Sequence, residues 1–400
     1  MKRILIFALA YVPFVGGAEL AVKEITDRID QAESTFDMIT LRFDRNLPKV
    51  QKIGNVTVYR IGFTANNPKI SDRSMPLQCK IAKILFPFTS FFKALSLNRN
   101  HRYDMIWALM ANQAAFGALL FKYTHPRIPY FLELQDGNSL KQIKTRRPFL
   151  RLAWPLYRSI YLKADRIKVI SHFIEHLARE IGYKKAIEVI PNGVDVAKFA
   201  ALHAPEEIAD VRRQTGKKLG DIFLFTASRL VLSRGVEDII RALPYLPHNV
   251  KLLVAGDGED RLQLENIAKD SGVRERVVFL GHISHDALPK YFAVCDIFVR
   301  PSIIEGMGSA FIEAFAAGIP IVATPVGGIP DFLKDGETGI FCKVRDPQSV
   351  ADAVTRYIND PSLVARIIEN AKKLAQDHYD WNMIARTMRK KIFEPLIKRG

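Results

Sequence analysis

Residues 297–330 read IFVRPSIIEGMGSAFIEAFAAGIPIVATPVGGIP. The short apolar, β-branched run at the start predicts a buried strand. A loop with two glycines follows, then an apolar helix, a second strand over IPIVAT and a Gly-rich turn. Between Glu305 and Asp331 the only charge is Glu313. A carboxylate inside so apolar a segment is costly unless a partner pairs with it. Glu305 falls in the loop at the strand's C-terminal end, where open α/β sheets place their ligands. Just after it, near Gly308 and Ser309, the helix N-terminus offers N–H groups and a positive dipole end to an anion. The stretch reads as half of a site: a phosphate seat flanked by two acids.

Strand, helix, strand is the unit of a parallel α/β sheet, and the same rhythm runs outward in both directions. Toward the C-terminus the stretch is followed by a helical region over about 349–396. Toward the N-terminus, 221–296 alternates FLFTASR, GVEDIIRALPYL, KLLVAGDG, RLQLENIAKDSG and RVVFLGHI. Residues 196–220 are polar and lack a strong hydrophobic period, which predicts an interdomain link. The rhythm occupies 1–195 as well, from ILIFALA and GAELAVKEITDRI to AIEVIPNGV. The expected organisation is therefore an N-terminal Rossmann-like domain over 1–195, a link over 196–220, a second Rossmann-like domain over 221–378 and a C-terminal helix over 379–400. Four hundred residues suit two α/β domains better than one core.

Met1-Lys2-Arg3 and the apolar run to Val15 have the outline of an export signal. Gly16-Gly17-Ala18-Glu19 then reads as a strand-to-helix turn, so the expectation is a first buried strand and a cytoplasmic protein. Residues 105–121 carry no charge but hold Asn112 and Gln113, and predict strand then helix rather than a membrane span. Cys79, Cys295 and Cys342 are widely spaced and odd in number, which predicts no disulfide framework and no metal cluster.

The net charge is +16. Residues 1–190 hold 30 Lys/Arg against 15 Asp/Glu, and residues 191–400 hold 28 against 27, so the excess belongs to the first half. Residues 141–168 carry Lys141, Lys144, Arg146, Arg147, Arg151, Arg158, Lys163, Arg166 and Lys168 against Asp165 alone. Phe149, Leu150, Leu152, Trp154, Leu156, Tyr157, Ile160 and Tyr161 are interleaved. From Arg73 to Tyr103 there is no acid, while Ile84-Leu85-Phe86-Pro87-Phe88 and Phe91-Phe92 are strongly apolar. Basic side chains with aromatic anchors suit an anionic bilayer surface. No nucleic-acid-binding module or base-reading motif appears, and no nucleic-acid partner is expected.

Ser228-Arg229-Leu230 follows the strand FLFTA, and Arg234-Gly235-Val236 opens the next helix. Two guanidinium groups five positions apart at a strand end can converge on a diphosphate. Gly16-Gly17 ends the first strand of the other domain, where paired glycines allow a close approach to a phosphate or simply make a tight turn. Neither a Walker pattern nor a complete G-x-G-x-x-G is present.

Together GGAE, IPNGVD, Arg229 with Arg234-Gly235, VAGDGED, FLGHI and E-G-M-G-x-x-x-x-E resemble glycosyltransferase family 4, whose members have the GT-B fold. The resemblance covers nearly the whole chain and is most specific in the second half. It implies two facing Rossmann-like α/β domains with parallel sheets and a C-terminal helix crossing back to the first. It also implies retaining transfer from a nucleotide sugar without a metal or other cofactor; no D-x-D motif is present. Arg229 and Arg234 match the basic pair on the donor diphosphate, the second of which is usually lysine. Glu313 matches the acid on the ribose diol, and Glu305 the acid near the donor sugar. Gly306, Met307, Gly308 and Ser309 match the backbone that holds the sugar or phosphate edge. Ile283 matches the position beside the base, and Gly17 the loop that reaches the β-phosphate. Gln135 stands where the family commonly has histidine. It can bond a sugar hydroxyl but cannot titrate. Asp136 could orient or deprotonate the acceptor hydroxyl, or could serve the turn before Gly137. His172, His176, His282 and His285 share no ligand pattern and are expected to be inert.

The function so implied is transfer of a sugar from a UDP- or GDP-sugar to a lipid-linked or cell-envelope glycan acceptor, at an anionic membrane surface. A nucleotide-sugar epimerase or hydrolase on the same fold, or an inactive membrane-bound scaffold, are the alternatives.

Overall fold

A computed structural model describes residues 1–14, 16–66, 68, 75–146 and 153–398. Arg73, Arg147, Phe149, Leu150, Arg151 and Leu152 of the two basic segments lie outside them. The chain divides into two units: Met1–Asn192 with Trp381–Gly400, and Gly193–Asp380.

Among the described residues the first unit holds eight strands: β1 (Lys2–Phe7), β2 (Ser34–Leu41), β3 (Val50–Ile53), β4 (Val56–Ile61), β5 (Met105–Leu109), β6 (Tyr130–Leu134), β7 (Arg166–Val169) and β8 (Ile187–Val189). Their order in the sheet is β3-β4-β2-β1-β5-β6-β7-β8. Only the edge strand β3 is antiparallel. Central β5 is apolar along its length, and β1 from Ile4 onward, because helices cover both faces of a parallel sheet. The principal helices are α1 (Gly17–Asp27), α2 (Leu77–Asn100) and α3 (Gln113–Thr124). Residues 105–121 thus form a buried strand and a buried helix rather than a span. No helix among the described residues is long and apolar enough to cross a membrane.

The chain's last segment returns to this unit. Trp381, Ile384, Met388, Ile392, Phe393 and Leu396 are buried in one core with Ile4, Ile6, Trp107 and Phe131. The Phe393 ring lies 5.6 Å from that of Trp107. Trp381 is therefore a packing residue.

The second unit has six strands, β9 (Ile222–Ala227), β10 (Val250–Ala255), β11 (Val277–Gly281), β12 (Ile297–Arg300), β13 (Ile321–Ala323) and β14 (Ile340–Phe341). The order is β11-β10-β9-β12-β13-β14, all pairs parallel. Residues 196–220, read from the sequence as a link, carry two helices of this unit, Val196–Ala200 and Pro205–Thr215. The chain divides earlier, between Asn192 and Gly193. The second of these helices buries only Val211 and Thr215, so its sequence is polar although its backbone is helical.

Candidate active site

In the second unit the strand order reverses between β9 and β12, the topological switch point of an open α/β sheet. The loops leaving these two neighbours carry the predicted residues. Ser228 and Arg229 follow β9, and Glu305 follows β12. Gly235 makes the approach of the two loops possible. Its φ is +73°, and a Cβ there would lie 1.9 Å from the Pro301 carbonyl oxygen. Any larger residue would push the Arg234 loop off the end of β12. Gly327, with φ +57°, plays the same part for the turn after β13. A Cβ there would lie 1.7 Å from the Glu305 carbonyl oxygen.

Held in this way, Arg234 donates from Nη1 to Glu305 Oε2 at 2.8 Å and to the Ile304 carbonyl at 3.0 Å. Arg300, the last residue of β12, donates from Nη2 to the same Oε2. The Gly306 N–H donates to Glu305 Oε1 at 3.1 Å. Arg300 and Glu305 are buried and Arg234 partly so. Burial pushes the Arg300 guanidinium below its usual value, and neighbouring Arg234 adds to this, while Glu305 and Glu313 oppose it. Arginine pKa values start so high that the group stays charged. Two guanidinium groups around one carboxylate leave an excess of one positive charge.

The same strand ends hold unsatisfied polar atoms. Arg300 Nε, Ser302 Oγ, Ser228 Oγ and Thr226 Oγ1 are buried with no hydrogen-bond partner among the described residues. Buried polar atoms are normally bonded, so these strand ends keep donors and acceptors open to a further partner. Arg229 stands exposed beside them. Arg300 was not singled out in the sequence. An arginine ending a buried strand five positions before Glu305 was the available signal.

Gly308 is the N-cap of helix Ser309–Ala317, and Ser309 begins it. Glu313 lies in the second turn, buried. Its Oε1 is 3.1 Å from His285 Nε2. The structure therefore supplies a protein partner for the carboxylate whose expected partner was the ribose. His285 Nδ1 lies 3.4 Å from Lys198 Nζ, which also bonds Asp286 at 2.6 Å. The Phe199 ring meets the imidazole edge-on at 5.5 Å. An ammonium only donates, so Nδ1 accepts and Nε2 carries the hydrogen given to Glu313. His285, expected to be inert, is thus joined to a predicted site residue. Half-buried Ile283 lies two positions before it.

The remaining predicted residues belong to the first unit. Gly17 opens α1, and the Gly16 N–H is taken by Glu19 Oε2 at 2.8 Å. Gln135 is held at both ends. Its Nε2 donates to Glu133 Oε1 at 2.7 Å, and its Oε1 accepts from Asn192 Nδ2 at 2.8 Å. Glu133 is wholly buried and accepts from Lys168 Nζ at 2.6 Å and from Trp107 Nε1 at 3.0 Å. This buried pair on adjacent strands was not foreseen, although YFLEL carries one charge, Glu133, in an apolar strand and RIKV places Lys168 between Ile167 and Val169. Asp136 Oδ1 accepts from the Asn138 backbone N–H at 3.2 Å and from its side-chain amide. That is the turn alternative for Asp136.

Burial pushes the Cys79 and Cys295 thiols up and the Cys342 thiol to about 12. Among the described residues no group of three His, Cys, Asp or Glu side chains is placed to hold a metal ion.

Comparison with known proteins identifies the family. The family described as "Glycosyltransferase Family 4" matches residues 15–198, and "Glycosyl transferases group 1" matches residues 207–374. The chain belongs to glycosyltransferase family 4. It is a group 1 glycosyltransferase, an enzyme that transfers a sugar from a nucleotide-sugar donor. An uncharacterized glycosyltransferase of Methanocaldococcus jannaschii is 28% identical over 93% of this chain and 93% of its own. A GDP-mannose-dependent α-(1-6)-phosphatidylinositol monomannoside mannosyltransferase of Mycolicibacterium smegmatis is 33% identical over 58% of this chain and 63% of its own. The crystal structure of Anabaena HepE in complex with UDP-glucose has a TM-score of 0.78 at 21% identity, covering 98% of this chain and 100% of that one. The fold of this family 4 member is GT-B.

Proposed function

We propose that this glycosyltransferase works with retention of configuration and without a metal. On this reading the donor is a UDP- or GDP-sugar and the acceptor a hydroxyl of a lipid-linked or cell-envelope glycan. The enzyme is cytoplasmic, peripheral to the inner face of the cell membrane. The observation that carries the donor side is the cluster of Arg234, Arg300 and Glu305 beside exposed Arg229. Its excess positive charge, at strand ends with unsatisfied polar atoms, suits a diphosphate. Fixed guanidinium groups and the helix N-terminus at Ser309 supply the charge that a metal provides in other phosphate sites.

In this mechanism Arg229 and Arg234 stabilise the leaving diphosphate. Glu305 supports positive charge developing on the transferred sugar. A donor phosphate oxygen accepts the proton of the acceptor hydroxyl on the same face, which retains configuration. Glu313, oriented by His285, accepts from the ribose hydroxyls, with Ile283 beside the base. Gly306, Met307, Gly308 and Ser309 border the sugar or phosphate, and Gly17 belongs to the loop at the β-phosphate. Gln135 has one N–H and one lone pair left for a sugar hydroxyl.

The lipid-linked acceptor is supported by the charge of the first half and by the phosphatidylinositol-mannoside substrate of the mycobacterial relative. One relative uses GDP-mannose and one neighbour binds UDP-glucose, so both bases belong in the test. A thermal-shift panel of UDP-, GDP- and ADP-sugars should select one donor. Transfer of its labelled sugar to a membrane lipid extract should follow, with configuration read by NMR. Arg229→Ala should abolish transfer with an unchanged melting temperature. Inversion, a strict metal requirement or near-normal turnover of that variant would overturn the proposal.

A further inference from the structure

The helix α2 has two apolar faces. One packs into the first unit through Cys79, Ala82, Phe86, Ser90, Ala94 and Leu97. Its contact with α3 is close, since a Cβ on Gly117 would come within 2.1 Å of Ser90 Oγ. The other face carries Leu77, Ile81, Ile84, Leu85, Phe88 and Phe92, all exposed. Leu77 is 71% exposed, Ile84 69%, Phe88 58% and Phe92 64%. Their spacing puts them on one side of the helix, each three or four positions from the next apart from the pair Ile84-Leu85. Half-exposed Phe63 adds a further apolar side chain to the unit's surface. Scattered exposed hydrophobes are ordinary, but a continuous stripe along a 24-residue helix is a contact surface.

Charge selects the partner. Lys80 and Arg99 are exposed near the two ends of the helix, and no acid occurs between Arg73 and Tyr103. Two copies joined along this stripe would bring together two basic helices from halves that each carry a net charge of +15, summed over residues 1–190. An anionic bilayer surface satisfies both features at once. The apolar side chains enter the acyl boundary while lysine and arginine stay at the headgroups. We propose that α2 is the membrane-inserting element, lying in the plane of an anionic bilayer with the Leu77–Phe92 stripe downward. This inference rests on the membrane part of the proposed function. It goes beyond it by making insertion of α2, rather than charge on residues 141–168, the main source of affinity.

The test is flotation of the full chain with vesicles of phosphatidylcholine alone and with about one-third phosphatidylglycerol. Wild type should float with the anionic vesicles only. F88S/F92S should lose at least about tenfold in partition, against a much smaller loss for K141E/K163E. Superimposable thermal melts would show that both variants are folded. If F88S/F92S does not fold, I84C labelled with an environment-sensitive dye in a C295S background replaces it, and a blue shift on anionic vesicles is expected. Normal binding by F88S/F92S with loss in K141E/K163E would overturn the α2 inference and leave membrane docking standing. No binding by wild type would overturn both. A wild-type dimer dissolved by F88S/F92S in sedimentation would assign the stripe to a second copy and overturn the proposal.

Discussion

Each unit of this enzyme buries a charge cluster at the C-terminal ends of parallel strands, and the two clusters are balanced differently. In the first unit Glu133 and Lys168 form a one-to-one pair, wholly buried. Trp107 and Gln135 take further acceptor capacity of the carboxylate. The cluster is neutral, and what it does is hold Gln135 in one orientation. In the second unit two arginines surround one glutamate, and Arg300 Nε has no partner among the described residues. A neutral, bonded cluster positions its neighbour. An unbalanced one with an unmet donor attracts an anion. The contrast suggests that the second unit handles the charged part of the donor, while the first orders polar groups around its own strand ends.

The largest effect should come from unbalancing the neutral pair. Lys168→Met leaves Glu133 buried without its cation and should cost about 3–5 kcal/mol in denaturant unfolding. Adding Glu133→Gln should recover part of that loss, because the amide still accepts from Trp107. A single variant as stable as wild type would show that the pair holds nothing in place. Next comes Arg234→Ala. With Arg300 left to bond Glu305, the fold should survive, while kcat falls roughly 10²–10³-fold, about 3–4 kcal/mol of transition-state stabilisation. A drop in melting temperature that accounts for the lost turnover would make Arg234 structural, like Lys168.

His285→Ala should be milder. Glu313 would keep its place on the helix but lose its orienting donor, raising the donor KM about tenfold with little change in kcat. An equal fall in both parameters would place His285 in the chemical step instead. The last effect depends on pH and concerns Asp238, another buried charge, which has no basic partner at hydrogen-bonding distance among the described residues. Burial, and then the neighbouring Glu237, push its carboxyl from 3.8 up to about 6. Between those two values the folded chain binds more protons than the unfolded one, so stability falls as pH rises through the window. Above it the full cost remains. Asp238→Asn should therefore stabilise the protein at pH 7 by up to about 3 kcal/mol and by almost nothing near pH 3.5. Equal stabilisation at both values would point to a cause other than ionisation.

Much of the fold was legible. Buried parallel strands read as apolar runs, and 105–121 could be told from a membrane span by Asn112 and Gln113. The region 196–220 was not, because helices that bury one narrow side have the composition of a linker. Within the site, Glu305 and Glu313 stood out by carrying charge among apolar neighbours, and Arg234 by its spacing from Arg229 after a strand. Arg300, His285, Lys168 and Glu133 were not singled out. Each gains its partner from a segment distant in sequence or from a side chain in the same loop whose direction the spacing leaves open. The exposed stripe on α2 was visible only as hydrophobicity. Which of its two apolar faces meets the core depends on where α3 packs.

By itself the sequence determined the alternation of strands and helices, the excess of positive charge in the first half, and the residue types able to meet a diphosphate. These follow from local periodicity and composition, which the chain carries wherever it folds. Tertiary structure decided the pairings: Arg300 and Arg234 on one carboxylate oxygen, His285 on Glu313, and Gln135 between Glu133 and Asn192. Hydrogen bonds and ion pairs act over a few ångströms, so they depend on which strand ends are neighbours. Sheet order sets that adjacency, and no local stretch of sequence encodes it.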